Sequence, residues 1–95
     1  MNEITKPFIH SNGTSVDGLL NDNCEARSAI EDAITRIQKM EFNGRDYYPI
    51  EGSWTKAIAE RMEVLKKLRD CSEYFLATAE HCADAQADRE SRRSK

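Results

Sequence analysis

The stretch EFNGRDYYPIEGSW, residues 41–54, is the main internal break in the sequence, and the fold depends on how the chain passes through it. The whole chain of 95 residues has only four glycines and two prolines, and this stretch holds two of the glycines and one of the prolines. Repeating apolar patterns run up to it and away from it. We therefore predict an all-α protein in which an ordered turn at 43–53 joins two helices into an antiparallel, coiled-coil-like hairpin.

Before the break, apolar residues recur at alternating steps of three and four, which is typical of a coiled-coil seam. The seam consists of Val16, Leu19, Ala26, Ile30, Ala33, Ile37 and Met40. Thr14 followed by Asp17 resembles a capping box, and Asn43-Gly44 favours a helix end. The first helix is therefore predicted at about 14–42.

After the break, a second apolar face continues for about seven helical turns. It consists of Trp54, Ile58, Met62, Leu65, Leu68, Cys71, Phe75, Ala79 and Cys82. Pro49 keeps the preceding residue extended and Gly52 lets the chain reverse, after which Ser53 or Thr55 can cap the helix. We predict the second helix at about 54–87, a hairpin domain at 14–87, an N-terminal arm at 1–13 and a basic C-terminal tail at 88–95.

The pairing of the two helices can be predicted from their ends. Placing Ile37 opposite Ile58 also sets Cys24 beside Cys71, both in the seam, where we expect them to be buried as free thiols. A two-helix hairpin buries little apolar surface, so further support is expected. We favour a homodimer that forms a four-helix bundle; the alternative is that arm residues Phe8 and Ile9 cover the open end.

Composition excludes several classes of protein. The chain is 39% hydrophobic and 33% charged, with a net charge of −3, which does not suit a general nucleic-acid binder. Residues 1–52 carry −4 and residues 53–95 carry +1, a polarity that suits antiparallel self-association. No membrane-spanning run or signal peptide is recognised, so a cytoplasmic protein without membrane contact is expected. Three cysteines without paired spacing indicate neither a disulfide framework nor a zinc site.

The turn itself admits two interpretations. In the first, its side chains lock the closed end of the hairpin, with both tyrosines over the core and Asp46 accepting backbone N–H groups. In the second, the same segment is a partner-binding face, because Tyr and Arg offer large contact areas and directional hydrogen bonds. Adjacent extended residues point to opposite sides, so Tyr47 and Tyr48 can serve one role each. The candidate partner-binding residues are Arg45, Asp46, Tyr47, Tyr48 and Trp54.

Two motifs, HSNGTS at 10–15 and NGRDYYP at 43–49, resemble a group of small phage and prophage proteins. The resemblance covers roughly residues 10–82 and is anchored at these two motifs. It implies a helical hairpin in a phage or bacterial setting, and so the cytoplasm of a host cell, but it brings no catalytic residues and no established activity. The basic tail and the cysteines depart from this pattern.

Catalytic and metal chemistry find little support. His10, His81 and Cys82 could be imagined as zinc ligands, but His81 and Cys82 diverge by about 100° on a helix and a fourth ligand is missing. A nucleophile held beside a base is also not recognised. We therefore predict no enzyme activity, no metal site and no cofactor.

Two functions are carried forward from the sequence. The first is non-catalytic binding of a host or anti-phage defence protein, with modulation of that partner. The alternative is a nucleic-acid accessory protein whose tail contacts phosphates through Arg89, Arg92, Arg93 and Lys95. A weaker third possibility is a small ligand bound between protomers near the turn. The acidic first helix would repel nucleic acid, so protein binding is favoured.

Overall fold

Two antiparallel helices form the protein. The computed structural model describes residues 3–10 and 13–93, except the side chain of Arg93. Helix α1 spans Val16–Gln38 and helix α2 spans Ser53–Arg93, with a short 3-10 helix, Gly44–Asp46, between them. No strand occurs within the described ranges. The molecule measures 69 × 24 × 21 Å, as expected for a long hairpin, and the predicted all-α helical hairpin is confirmed.

The N-cap of helix α1 lies one residue later than the sequence pattern suggested, and the helix begins at Val16. The N-cap is Ser15, whose hydroxyl oxygen accepts a hydrogen bond from the backbone N–H of Gly18 at 3.0 Å. The predicted cap at Thr14 is therefore wrong, although Asp17 does lie in the first turn, where its charge is favourable at the positive end of the helix. The serine hydroxyl thus satisfies one of the backbone N–H groups in the first turn that have no hydrogen-bond partner within the helix.

Helix α1 also ends earlier than predicted, at Gln38 rather than near residue 42. The expected left-handed cap at Gly44 is wrong, because Gly52 is the one described glycine with positive φ, at 78°. Residues after Gln38 leave the helix and bring Phe42 back against α2. The carbonyl oxygen of Ile37 near the helix end accepts hydrogen bonds from the backbone N–H of Met40 and from the side chain of Arg61 of α2.

Helix α2 continues well past the predicted end at residue 87. Neither glycine nor proline occurs between Ser53 and Arg93, so nothing in the sequence stops the helix. Arg92 and Asp88 form an ion pair at 3.0 Å with the i,i+4 spacing that supports a helix. Residues 88–93 of the expected basic tail are therefore helical, whereas Lys95 lies outside the described residues.

The pairing of the helices is shifted by about two turns from the predicted one. Ser72 donates a hydrogen bond to Glu31 at 2.6 Å, and the side-chain amide of Gln86 donates to Asp17. The shift arises because the first turns of α2 project beyond the end of α1, where the turn segment folds back alongside them. The long side chain of Arg61 reaches from these projecting turns back to the carbonyl oxygen of Ile37.

The buried core is small. Its hydrophobic members are Val16, Ile34, Ala79 and Cys82, and Cys82 is fully buried. The predicted seam is wrong at several positions, because Cys24, Cys71 and Met62 are exposed. Ser72 and Thr78 are buried instead, each with its hydroxyl in a hydrogen bond.

The N-terminal arm lies against the far end of α2. The carbonyl oxygen of Pro7 accepts a hydrogen bond from Nε2 of His81 at 2.9 Å. Ile9 is half-buried, whereas Phe8 is 84% exposed and stacks on His10. The arm therefore covers part of the open end through Pro7 and Ile9. Among the described residues, no helix has the length and apolar character needed to cross a membrane.

Candidate binding site at the inter-helix turn

Three aromatic rings close the turn end of the hairpin. Trp54, in the first turn of α2, lies with its ring centroid 4.8 Å from that of Phe42 and 5.6 Å from that of Tyr47. Phe42 and Tyr47 meet edge to face at 5.9 Å. All three side chains are half-buried, so we call Phe42, Tyr47 and Trp54 the aromatic cluster. Such ring contacts stabilise beyond the area they bury, and here they join the turn to α2.

Arg61 connects the aromatic cluster to the end of α1. Its guanidinium carbon lies 4.5 Å from the centre of the Phe42 ring, in cation–π geometry. Its Nη2 donates to the carbonyl oxygen of Ile37 at 2.7 Å. A cation at this point also complements the negative end of the helix dipole.

Hydrogen bonds fix the backbone of the turn. The side-chain oxygen of Asn43 accepts from the N–H of Arg45 at 3.2 Å, which is the contact expected of Asp46 in the sequence-based interpretation. The N–H of Tyr47 bonds the carbonyl of Gly44 at 3.0 Å. The hydroxyl of Ser53 donates to the carbonyl of Tyr47 at 2.8 Å, so it ties α2 to the turn. The segment is thus held in one conformation from both of its ends.

The turn exposes side chains of the kind that bind proteins. Tyr48 is 79% exposed and Ile50 is 71% exposed. Arg45 and Asp46 are exposed beside them in the chain. We call Arg45, Asp46, Tyr48 and Ile50 the turn surface.

The five predicted partner-binding residues divide between the two interpretations. Tyr47 and Trp54 belong to the aromatic cluster and hold the turn, whereas Arg45, Asp46 and Tyr48 face solvent. The two tyrosines are separated because Tyr47 ends the 3-10 helix and Tyr48 follows in a tight turn. Ile50 was missed, although an isoleucine directly after a proline, outside both helical patterns, is a signal for an exposed apolar residue.

An open groove of about 400 Å³ lies beside the aromatic cluster, between the end of α1 and the start of α2. Ile37, Met40 and Val64 give it apolar walls, and Glu60 contributes a carboxylate. Met40 and Val64 are both about half exposed. This groove has mainly apolar walls, and it lies on one flank of the hairpin.

The residues considered as metal ligands or as a nucleophile do not come together in the described part of the structure. Within residues 3–10 and 13–93, no three His, Cys, Asp or Glu side chains are grouped so as to hold a metal ion. His10 and His81 make the contacts of the arm, and Cys82 is buried at the opposite end of the hairpin from the turn. Burial raises the pKa of the Cys82 thiol, and the neighbouring Cys24 raises it further. A thiol held protonated in this way is a poor nucleophile.

Among the described residues, the basic side chains near the chain end do not form a concentrated positive surface. Arg89 and Arg92 are exposed on α2, but Arg92 pairs with Asp88 and an acidic residue, Glu90, lies between them in the chain. Arg93 is the last residue of α2, its side chain lies outside the description, and Lys95 lies beyond the described residues. The mixed charge weakens the case for phosphate contacts.

Comparison of the chain with protein-family models, with curated proteins and with solved structures gave no match. The class of protein is therefore defined by the fold and site alone. It is a two-helix hairpin with an ordered, solvent-facing turn.

Proposed function

We propose that this protein is a non-catalytic interaction protein that binds a host or anti-phage defence protein through the turn surface and modulates that partner. The observation that carries the proposal is the fixed turn, which holds Tyr48 and Ile50 in solvent. The bacterial setting of the partner comes from the resemblance of the two motifs to phage and prophage proteins.

The turn surface has the composition of a binding hot spot. Exposed tyrosine beside arginine is enriched where truncation of single side chains removes most of the binding energy. Here the two exposed apolar residues, Tyr48 and Ile50, are separated only by Pro49, which cannot donate a backbone hydrogen bond. Arg45 and Asp46 supply charges of both signs close by, which favours a partner with a matched polar pattern.

Order in the turn favours binding as well. A loop that must become ordered on binding loses conformational entropy and therefore affinity. The bonds from Asn43, Gly44 and Ser53, together with the aromatic cluster, impose that order before any partner arrives. This supports a surface that binds as a rigid unit rather than a flexible loop.

Affinity capture from bacterial lysate tests the proposal. The bait is the full chain, compared with the double variant Asp46→Ala, Tyr48→Ala, which alters exposed side chains and leaves the aromatic cluster intact. A matched control, Glu63→Ala, Lys66→Ala, removes exposed side chains from α2. A protein captured by wild type and control but lost with the turn variant is the expected result. Equal capture by all three baits would refute binding through the turn.

The nucleic-acid alternative is separated by a variant at the other end of the molecule. Replacing Arg89 and Arg92 by glutamine removes exposed positive charge and preserves good helix formers. If the chain acts on nucleic acid, DNA binding at low salt should be detectable and should weaken in this variant, with a shallower salt dependence. The proposal made here expects no such binding in the wild type.

A further inference from the structure

The hairpin leaves too much surface in water for a self-sufficient domain of its mass. It exposes 7503 Å², whereas a compact monomer of 10.9 kDa exposes about 5,600 Å². Its radius of gyration is 19.6 Å, against about 12 Å for a compact domain of this length. A typical stable interface covers about 800 Å² on each partner, so the surplus is large enough to hold one.

Helix α2 carries a second stripe on one flank of the surface that packs on α1. It steps by three and four residues in alternation, as a helix-packing seam does. The stripe consists of Ala57, Glu60, Val64, Lys67, Cys71 and Tyr74. At 100° per residue it lies about a quarter turn from the seam that packs on α1. We call it the outer stripe.

The outer stripe faces solvent over most of its length. Val64 is 49% exposed, Tyr74 is 37% exposed, and Glu60, Lys67 and Cys71 are all exposed. The stripe ends where the next position in the pattern is Thr78, which is buried. At its other end the stripe residues Ala57, Glu60 and Val64 line the open groove, together with Met40, which follows the end of α1.

From Ala57 to Cys71, the order of residues along the outer stripe is complementary to itself when reversed. A two-fold axis at Val64 sets each Glu60 within one residue, about 1.5 Å along the axis, of the partner's Lys67, so the interface would contain this ion pair twice. The same axis sets the small Ala57 opposite the partner's Cys71, and Val64 opposite its own copy. Opposite charges meet and apolar residues meet, which is what a two-fold interface between identical chains requires.

We propose that the outer stripe is the interface of an antiparallel homodimer whose two-fold axis passes near Val64. The second copy of α2 then occupies the open groove. Because Met40 lines the same groove next to the end of α1, this contact would also bring α1 into the interface and give a four-helix arrangement. A second copy is favoured over an unrelated partner because Glu60 and Lys67 lie on opposite sides of Val64, so each can face the opposite charge of an identical chain. This inference goes beyond the proposed function and does not depend on it.

The pairing has a consequence for the turn surface. With a rise of 1.5 Å per residue, the starts of the two α2 helices lie about 33 Å apart along the helix axis. The dimer would therefore present its two turn surfaces at opposite ends. Loss of the dimer and loss of partner capture can then be measured separately, because the turn variant leaves the outer stripe unchanged.

Charge reversal tests the register by sedimentation equilibrium. Lys67→Glu alone, and Glu60→Lys alone, place like charges opposite each other twice and should raise the dimer dissociation constant at least about tenfold. The double variant Glu60→Lys, Lys67→Glu restores the opposite-charge pairs and should recover the wild-type constant. Lys66→Glu is the matched control, because Lys66 is adjacent and exposed but lies outside the outer stripe. Circular dichroism of each variant checks that the helices remain.

Cysteine cross-linking tests the geometry independently. In Ala57→Cys, oxidised glutathione should drive formation of a disulfide between Cys71 of one copy and the new thiol of the other, with reduced glutathione as the product. The wild type should not cross-link through Cys71, because the two copies of that residue lie about 21 Å apart along the axis. A replacement of Cys71 by serine in the Ala57→Cys chain should abolish the linked dimer.

The results that overturn the proposal are distinct. A wild-type chain that stays monomeric up to millimolar concentration would refute self-association. A dimer that is insensitive to both single charge reversals, or one that the double variant does not restore, would refute this register. Cross-linking through wild-type Cys71 alone would place the axis elsewhere.

Discussion

Replacing Arg61 by methionine should weaken the hairpin at the point where its turn joins its two helices. The substitution keeps the aliphatic stem and the helix propensity but removes the charge. It would eliminate the 2.7 Å hydrogen bond to the carbonyl of Ile37 and the cation–π contact with Phe42. The end of α1 and the aromatic cluster would lose their common anchor.

The magnitude follows from those two contacts. A hydrogen bond from a charged donor contributes about 1.5–3 kcal/mol, and a cation–π contact at an exposed site adds about 0.5–1 kcal/mol. Arg61 is half-buried, so we take the lower part of each range and expect a loss of about 2 kcal/mol. For a domain of this size that loss lowers Tm by roughly 10 °C.

Urea and thermal denaturation, followed by circular dichroism at one fixed protein concentration, measure the loss. Arg69→Met is the control, because Arg69 is an exposed arginine on the same helix, and it should change stability by less than about 0.5 kcal/mol. Arg61→Lys should fall between the two, since it keeps the charge but not the planar guanidinium. If Arg61→Met and Arg69→Met have the same effect, the account of the turn is wrong.

Three further results are expected, each from denaturation curves. Ser15→Ala should lower the free energy of unfolding by about 1 kcal/mol through loss of the N-cap, whereas Thr14→Ala should lower it much less. The reverse order would show that Thr14 is the N-cap, as the sequence predicted. Gly52→Ala should destabilise by about 1 kcal/mol because of its positive φ, and Gly44→Ala should be milder, since its added methyl makes only ordinary contact; equal losses would contradict this. Because the pKa of Cys82 is raised in the folded state, the unfolded thiol ionises first as pH rises above its ordinary value of 9.0, so stability should fall from about that pH upward. Cys82→Ala should be less stable at pH 7 but should lack this alkaline loss; parallel pH profiles would show that the thiol proton plays no part.

The hairpin could be predicted because the sequence contains one strong break between two sustained apolar patterns. The end of α1 could not, because it is set by tertiary contacts. Asn43-Gly44 is a good local cap signal, but Phe42 leaves the helix to join Trp54, and Arg61 satisfies the carbonyl of Ile37. Local propensity was overridden by packing around the turn.

The pairing of the helices was predicted wrongly for a related reason. A seam with steps of three and four still matches apolar to apolar after a shift by about two turns, so periodicity alone does not fix the register. The observed pairing also uses polar residues, including Ser72 with Glu31, which an apolar pattern cannot reveal. The extension of α2 to Arg93 was discoverable, since no helix-breaking residue follows Ser53.

The candidate site was partly predictable. The chemistry of NGRDYYP indicated a segment with both structural and binding roles, and the structure places Tyr47 inside the aromatic cluster and Tyr48 in solvent. Sequence alone could not assign Asn43 rather than Asp46 to the turn hydrogen bond, because both residue types favour that contact. Ile50 could have been added to the predicted site, since it follows Pro49 and lies outside both helical patterns.

Site-specific photo-cross-linking in bacterial cells tests the central claim most directly. A benzophenone amino acid placed at Tyr48 reports what touches the turn surface, and the same probe at Glu63, on an exposed face of α2, is the comparison. We expect a cross-linked bacterial or defence protein from position 48 that is absent or much weaker from position 63. Equal products from both positions, or none from position 48, would contradict binding through the turn.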